Sequence, residues 1–268
     1  MSLFSSVLCA VDASSLASRV FKHAVGLASL CGARLTVMTI TPGDPHRAEA
    51  AVRSMMRAVV PIDARFLDDL HLRVINLAVG QPVDAILEEV RGGVDAVVVG
   101  THARSGLSRW LLGSTSASLL REAPCPVLLV PPGELEVVTV DTQGATFHPG
   151  AVLAAVDLDE RNGRQLLVAR QLATATGAPL TLMTVAAAAL PDDAAEAALR
   201  ERAGEIPGDV ALVVKRGDVP EAIDQAAHTA HAGVVVMGVR DWARGEPGHT
   251  ARAVLKNKDA VVLAVPPA

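Results

Sequence analysis

The sequence predicts an α/β protein of two tandem domains, each an open five-stranded parallel sheet with helices on both faces. Two observations support this fold class. Short runs rich in β-branched residues alternate with longer segments of helical character, which is typical of parallel sheets covered by helices. The same order of segments then occurs a second time along a chain of 268 residues, half of them hydrophobic, which is enough for two domains of ordinary size.

The first half of the chain contains five predicted strands separated by four predicted helices. Asp12-Ala13-Ser14-Ser15 offers capping side chains to the first helix, and Pro82 lies near the first position of the third, where its missing N–H costs nothing. The strands are predicted at residues 7–11, 35–40, 70–79, 94–99 and 127–130. The first helix is predicted to end near residue 31, and the other three are predicted at residues 46–60, 82–91 and 114–122.

Internal repeats define the predicted domain boundaries. The first domain is predicted at residues 1–132 and the second at 150–268, joined by a linker at 133–149 in which only residues 135–140 resemble an extended segment. The offset between the copies falls from 145 to 138 residues, which predicts a shorter connection after the second strand of the second domain. The matching segments are 9–12 with 154–157, 35–40 with 180–185, 97–100 with 235–238 and 125–132 with 260–267.

Composition argues against several classes of function. The net charge of −5, with scattered Lys and Arg, lacks the basic face of a nucleic-acid-binding protein, and four Phe, two Trp and no Tyr leave few rings for base stacking. Cys9, Cys31 and Cys125 lie in or beside apolar runs, as reduced core thiols do, and the scattered histidines predict no metal site. The chain shows neither a signal peptide nor an apolar stretch of about 20 residues, so we expect a soluble, cytoplasmic protein without membrane contact.

A candidate anion site lies in residues 96–115, where an apolar strand ends at Gly100 and Gly113-Ser114-Thr115 leads into a helix. Unpaired N–H groups at a helix start can hold phosphate oxygens. In open parallel sheets ligands bind at the carboxyl ends of the strands where the strand order reverses, which would gather Asp12 and Ile40 beside Gly100. Asp12 is a candidate for ribose hydroxyls and Ile40 for the base. The alternative for Asp12 is a helix cap, and the two roles are compatible, because capping leaves lone pairs of the carboxylate available.

These residues resemble those of a tandem universal stress protein. Nucleotide-binding members of that family carry Gly, two residues, Gly, nine residues, and then Gly followed by Ser or Thr. Gly100 and Gly113-Ser114 match this pattern, while Ala103 stands in place of the middle glycine. The turn at residues 11–14 and the Ala123-Pro124-Cys125-Pro126-Val127 segment are similar as well, so the resemblance spans the first half.

The resemblance implies a Rossmann-like fold of the adenine nucleotide α-hydrolase type and a stress-response function. The first domain would bind ATP, with or without Mg²⁺, or another adenine nucleotide, and act through an unidentified protein partner. It also implies that the domains pack as an intramolecular pseudo-dimer and that chains form a homodimer through the edge strands before Pro131 and Pro266. The nucleotide-binding residues implied are Ala10, Asp12, Ile40, Val99, Gly100, Ala103, Arg104, Gly113, Ser114 and Thr115.

Several alternatives stay open beside this interpretation. Ala103 favours a non-nucleotide-binding interaction module, because its methyl group can crowd a phosphate and it resists positive φ. Arg104 and Arg109 either contact phosphate or are merely solvated. The second domain is predicted to bind no triphosphate, since Asp241 stands at the position of the middle glycine and Ala251 at that of Gly113.

Catalysis is not expected, beyond slow ATP hydrolysis at most. His102 has no evident nucleophile with an orienting group beside it, and the sequence contains no Gly-Lys-Ser or Gly-Lys-Thr. An ATP-dependent enzyme of the related α-hydrolase type would need a longer substrate domain and a pyrophosphate loop, and neither is visible. The sequence therefore predicts ligand binding without turnover.

Overall fold

The structure is a computed structural model. It divides into two units, Met1–Pro132 with Glu136–His148, and Gly133–Leu135 with Pro149–Ala268. It describes residues 2–12, 14–40, 45–60, 73–77, 81–101, 112–159, 163–204, 206–239, 249–254 and 260–267.

The first unit contains a parallel sheet in the order β5-β4-β1-β2-β3, so the predicted α/β fold class is confirmed. Its inner strands are long apolar runs because helices cover both faces, and Val7, Leu8 and Cys9 are fully buried. The strands are β1 (Ser6–Val11), β2 (Arg34–Ile40), β3 (Arg73–Leu77), β4 (Ala96–Gly100) and β5 (Val127–Val130). The helices are α1 (Ala17–Cys31), α2 (Pro45–Val59), α3 (Pro82–Arg91) and α4 (Ser114–Glu122).

A β-hairpin occupies much of the segment that the sequence analysis interpreted as a linker. Strands β6 (Val138–Val140) and β7 (Ala145–Phe147) pair antiparallel and pack against α1. Val138 and Phe147 are buried, and a Cβ added to Gly26 of α1 would lie 2.6 Å from both Cγ atoms of Val138. Most of the predicted linker is therefore part of the first unit, because these apolar side chains cover one of its helices.

The second unit repeats the strand order of the first, as β10-β9-β8-β11-β12. Gly177 ends the first helix of this unit with φ 67°, as Gly32 ends α1 with φ 60°, and this left-handed conformation favours glycine at both helix ends. The strands are β8 (Val152–Ala155), β9 (Leu180–Val185), β10 (Ala211–Lys215), β11 (Val234–Gly238) and β12 (Val261–Val265). The helices are α5 (Arg164–Thr176), α6 (Asp192–Gly204), α7 (Val219–Thr229) and α8 (His249–Val254).

Within the described part of the chain, none of the helices is both long and apolar enough to cross a membrane.

Candidate functional site

The strand order of the first unit places its reversal point between β1 and β4. The chain passes from β1 outward through β2 and β3, then returns to β4 on the other side of β1. Ala10 of β1 and Val99 of β4 are register partners, so Asp12 and Gly100 follow at the same edge of the sheet. Ligands bind at such an edge in doubly wound sheets. Four of the predicted site residues therefore share one location.

Other predicted residues are described in part or not at all. Ile40 ends β2, the strand beside β1, but its side chain lies outside the described residues. Ala103 and Arg104 also lie outside them, as does His102.

Two hydrogen bonds fix the start of α4 beside the end of β4. The N–H of Gly113 donates to the carbonyl oxygen of Thr101 at 3.2 Å, and the Ser116 hydroxyl donates to the carbonyl oxygen of Gly100 at 2.7 Å. Thr101 and Ser116 are buried, so neither bond competes with bulk water. The first turn of α4 is thereby held at the carboxyl end of β4.

Among the described residues, no side chain caps the amino end of α4. Gly113 is the N-cap, with φ −57° and ψ 152°, and it provides no side-chain cap, while the first turn carries no acidic residue. The N–H groups of Ser114 and Thr115 have no partner among the described residues, and Ser114 is exposed. The N–H of Gly113 is already bonded to Thr101, so the available donors of this turn begin at Ser114.

Gly100 is required by the packing of α1. A Cβ at this position would lie 2.8 Å from Cδ2 of Leu16 and 3.1 Å from Cγ2 of Val20, and both side chains are buried. A side chain at position 100 would therefore push the first turn of α1 away from β4.

Asp12 forms a local turn. Its Oδ1 accepts from the N–H of Ser14 at 3.0 Å, whereas the N-cap of α1 is Leu16 and no side chain caps that helix. The interpretation of Asp12 as a helix cap is therefore wrong. Asp12 is exposed, and Oδ2 has no partner among the described residues. Asp157 makes the same turn in the second unit, accepting from the N–H of Asp159 at 3.0 Å.

The second unit keeps the sheet geometry of this edge. The N–H of Val239 donates to the carbonyl oxygen of Val265 at 2.9 Å, as the N–H of Thr101 donates to the carbonyl oxygen of Val130 at 3.1 Å. α8 begins at His249, 135 residues after the start of α4 at Ser114, and the register partners of the last two strands give the same offset. Thr101 therefore aligns with Val239 before the connection, and Ser116 aligns with Ala251 after it. The predicted alignment of Ala251 with Gly113 is wrong, because Ala251 lies within α8. An alanine at position 251 has no hydroxyl to hold α8 to β11.

Sequence reasoning missed Thr101 and Ser116. Ser116 carried a signal, because residues three and four positions later, Leu119 and Leu120, are apolar and share its face of the helix. A serine on the buried face of a helix needs a hydrogen-bond acceptor, and the end of β4 supplies one.

Two of the three cysteines, Cys9 and Cys31, have poorly reactive thiols. Burial raises the pKa of the Cys9 thiol far above its ordinary value, and burial raises the pKa of Cys31 to about 11. The reactive thiolate is therefore disfavoured at both positions near neutral pH. Among the described residues, no group of three or more His, Cys, Asp or Glu side chains could hold a metal ion.

The fold and site define a doubly wound α/β protein with a glycine-containing connection that leads to an open helix start. A sequence model of the universal stress protein family matches residues 4–131. The universal stress protein in the QAH/OAS sulfhydrylase 3′ region of Thermus aquaticus is 36% identical over 136 residues, which is 48% of this chain and 99% of that protein. The chain belongs to the universal stress protein family.

A second relative is similar in sequence over the same part of the chain, and a solved structure is similar in fold. Universal stress protein YxiE of Bacillus subtilis strain 168 is 26% identical over 152 residues, covering 48% of this chain and 99% of that protein. A universal stress protein from Archaeoglobus fulgidus DSM 4304 matches 99% of this chain with a TM-score of 0.72, at 19% identity and over 98% of its own length. That match shows a shared fold along nearly the whole chain.

Proposed function

We propose that the first unit binds ATP or another adenine nucleotide at the carboxyl ends of β1 and β4, and that the bound ligand controls association with a protein partner in a stress response. The observation that carries this proposal is the open first turn of α4, fixed beside Gly100 by the Gly113 and Ser116 hydrogen bonds. A helix start without a side-chain cap or a nearby acid favours phosphate.

Each part of the nucleotide has a candidate partner in this arrangement. The N–H groups of Ser114 and Thr115 would donate to phosphate oxygens, and Oδ2 of Asp12 would accept from the ribose hydroxyls. Ile40 would contact the base, while Arg104 would add positive charge and Ala103 would line the phosphates. Mg²⁺, where it accompanies ATP, would be held mainly by the phosphates.

The proposed activity is binding without turnover. The sequence has no Gly-Lys-Ser or Gly-Lys-Thr to place a lysine on the γ-phosphate. A bound nucleotide would change the surface of the first unit, which a protein partner could then distinguish.

The alternative is an interaction module that binds no nucleotide. Two observations favour it: Ala103 replaces the middle glycine, and Asp157 makes the same turn as Asp12 in a unit that lacks the glycine pattern. Local structure therefore explains Asp12 without a ligand, and packing explains Gly100.

Calorimetric titration with ATP, with and without Mg²⁺, separates the two proposals. We expect binding by the wild type and at least tenfold weaker binding by Ser114→Glu, because a carboxylate in the first turn stabilises the helix but repels phosphate. The matched control, His249→Glu, changes the aligned first residue of α8 in the second unit and should bind ATP normally. Gly113→Val, with unfolding monitored by circular dichroism, is a second test of the same turn.

Absence of binding by the wild type at millimolar ATP would support the interaction module instead. Titration with GTP under the same conditions tests the preference for adenine, because a site that only holds phosphate would accept both nucleotides.

A further inference from the structure

Strand β10 is an apolar edge of the second unit. It pairs in parallel with β9, and no strand of the described chain pairs with its other edge. Leu212, Val213 and Val214 are only half-buried, and the strand contains no proline. An edge with unpaired N–H and C=O groups and apolar side chains is a template for another strand.

The backbone pattern shows which groups of β10 face outward. The carbonyl oxygen of Lys215 accepts from the N–H of Ala186 at 2.9 Å, so the main-chain groups of Lys215 point toward β9. Successive residues of a strand direct these groups to opposite sides. The N–H and C=O groups of Leu212 and Val214 therefore point to the open edge.

Opposite charges flank this edge. Asp209 precedes the strand and is exposed, and Lys215 ends it and is half-exposed. Neither side chain has an ion pair or a side-chain hydrogen bond among the described residues. β10 begins at Ala211, two residues after Asp209. Pairing that extends the strand back to Asp209 would place both side chains on the same face, because their numbers differ by six.

The geometry points to a homodimer in which β10 pairs antiparallel with β10 of a second copy, centred on Leu212. In this register Leu212 pairs with Leu212 and Val210 with Val214 of the second copy, so the outward N–H and C=O groups meet as hydrogen-bonded pairs. Asp209 then lies opposite Lys215, and two-fold symmetry makes this ion pair twice.

The neighbouring registers lack this complementarity. Moving the centre by one residue keeps the outward groups paired, but places Lys215 opposite either Ala211 or Pro207. Charge complementarity therefore favours the register centred on Leu212. It also favours a second copy of this chain as the partner strand, because the same short sequence supplies both residues of each ion pair. A pairing of about seven residues from each copy buries less than a standard interface, so we expect a dimer of micromolar rather than nanomolar affinity.

Sedimentation velocity of the full chain over a range of concentrations tests the proposal. We expect a monomer–dimer equilibrium that Lys215→Glu weakens about tenfold or more, because two attractions become two repulsions. Asp209→Lys should have a similar effect, and the double variant D209K/K215E should restore dimerisation. Glu201→Lys, an exposed change of the same charge as Asp209→Lys, is the matched control and should dimerise like the wild type.

Leu212→Pro tests the backbone directly. Its N–H points away from β9, so proline removes two hydrogen bonds of the dimer while leaving the β9 ladder intact. We expect a folded monomer with an unchanged circular dichroism spectrum. A chain that stays monomeric at every concentration, or a dimer insensitive to Leu212→Pro and to both charge reversals, would overturn the proposal; the latter would indicate dimerisation through another edge.

Discussion

His23 is fully buried in the middle of α1, although it is an ionisable residue. Its Nδ1–H donates to the carbonyl oxygen of Arg19 at 2.8 Å, and Nε2 has no partner among the described residues. Burial lowers the pKa of His23 to about 4, and the charges around it come from Arg19, Lys22 and Glu136. The folded unit therefore holds a neutral imidazole at neutral pH.

This burial predicts a loss of stability below the ordinary pKa of histidine, 6.5. As the pH falls from 6.5 toward 4, the unfolded chain binds a proton that the folded unit excludes, so the folded state is progressively disfavoured. At pH 5 the loss relative to pH 7 is about 2 kcal/mol. Urea unfolding of wild type and His23→Leu at both pH values measures it, because the apolar variant should lack this part of the pH dependence. Parallel pH dependence in the two proteins would contradict the prediction.

At the scale of elements, the sequence could predict the sheet because each strand is a short β-branched run that is buried on both faces. Most predicted strand and helix ends in the described regions lie within two residues of those observed. The hairpin was missed for a physical reason. Residues 145–147 carry one large apolar side chain, Phe147, and a two-stranded hairpin gains its stability from what it packs against. That surface, the face of α1 at Gly26, is distant in sequence.

Gly26 should therefore be sensitive to any added side chain. Gly26→Ala places a Cβ 2.6 Å from the Cγ atoms of Val138, which must move together with β6. Overpacking of this kind costs about 1–3 kcal/mol, and urea unfolding measures it. Gln171→Ala is the matched control, because the offset of 145 residues makes Gln171 the counterpart of Gly26 and its side chain is exposed. Shortening Val138 to Ala in the Gly26→Ala background should recover part of the loss; no recovery would mean that the hairpin is not what the new methyl group meets.

At the scale of the whole molecule, the two units have the same strand order but different side chains at the carboxyl ends of their strands. The repeat and the pattern at Gly100 and Gly113 could be predicted from sequence, because glycine spacing is local. The hydrogen bonds of Thr101 and Ser116 could not, since they depend on how α4 lies against β4. The described second unit has Val239 and Ala251 at the aligned positions, so it serves as an internal control for the proposed site.

Hydrogen exchange with bound ATP should therefore separate the two units. A ligand at 100 times its Kd stabilises the state that binds it by about 2.7 kcal/mol. If the proposed site is correct, amides at residues 99–101 and 113–117 will exchange more slowly with ATP, because they lie at the ends of β4 and α4 that hold the phosphates. The aligned amides at residues 237–239 and 249–252 should not change, because Ala251 replaces the serine whose hydroxyl holds α4 to β4. Equal protection at both sets would mean that nucleotide binding does not depend on the Ser116 hydrogen bond, and that the second unit binds nucleotide as well.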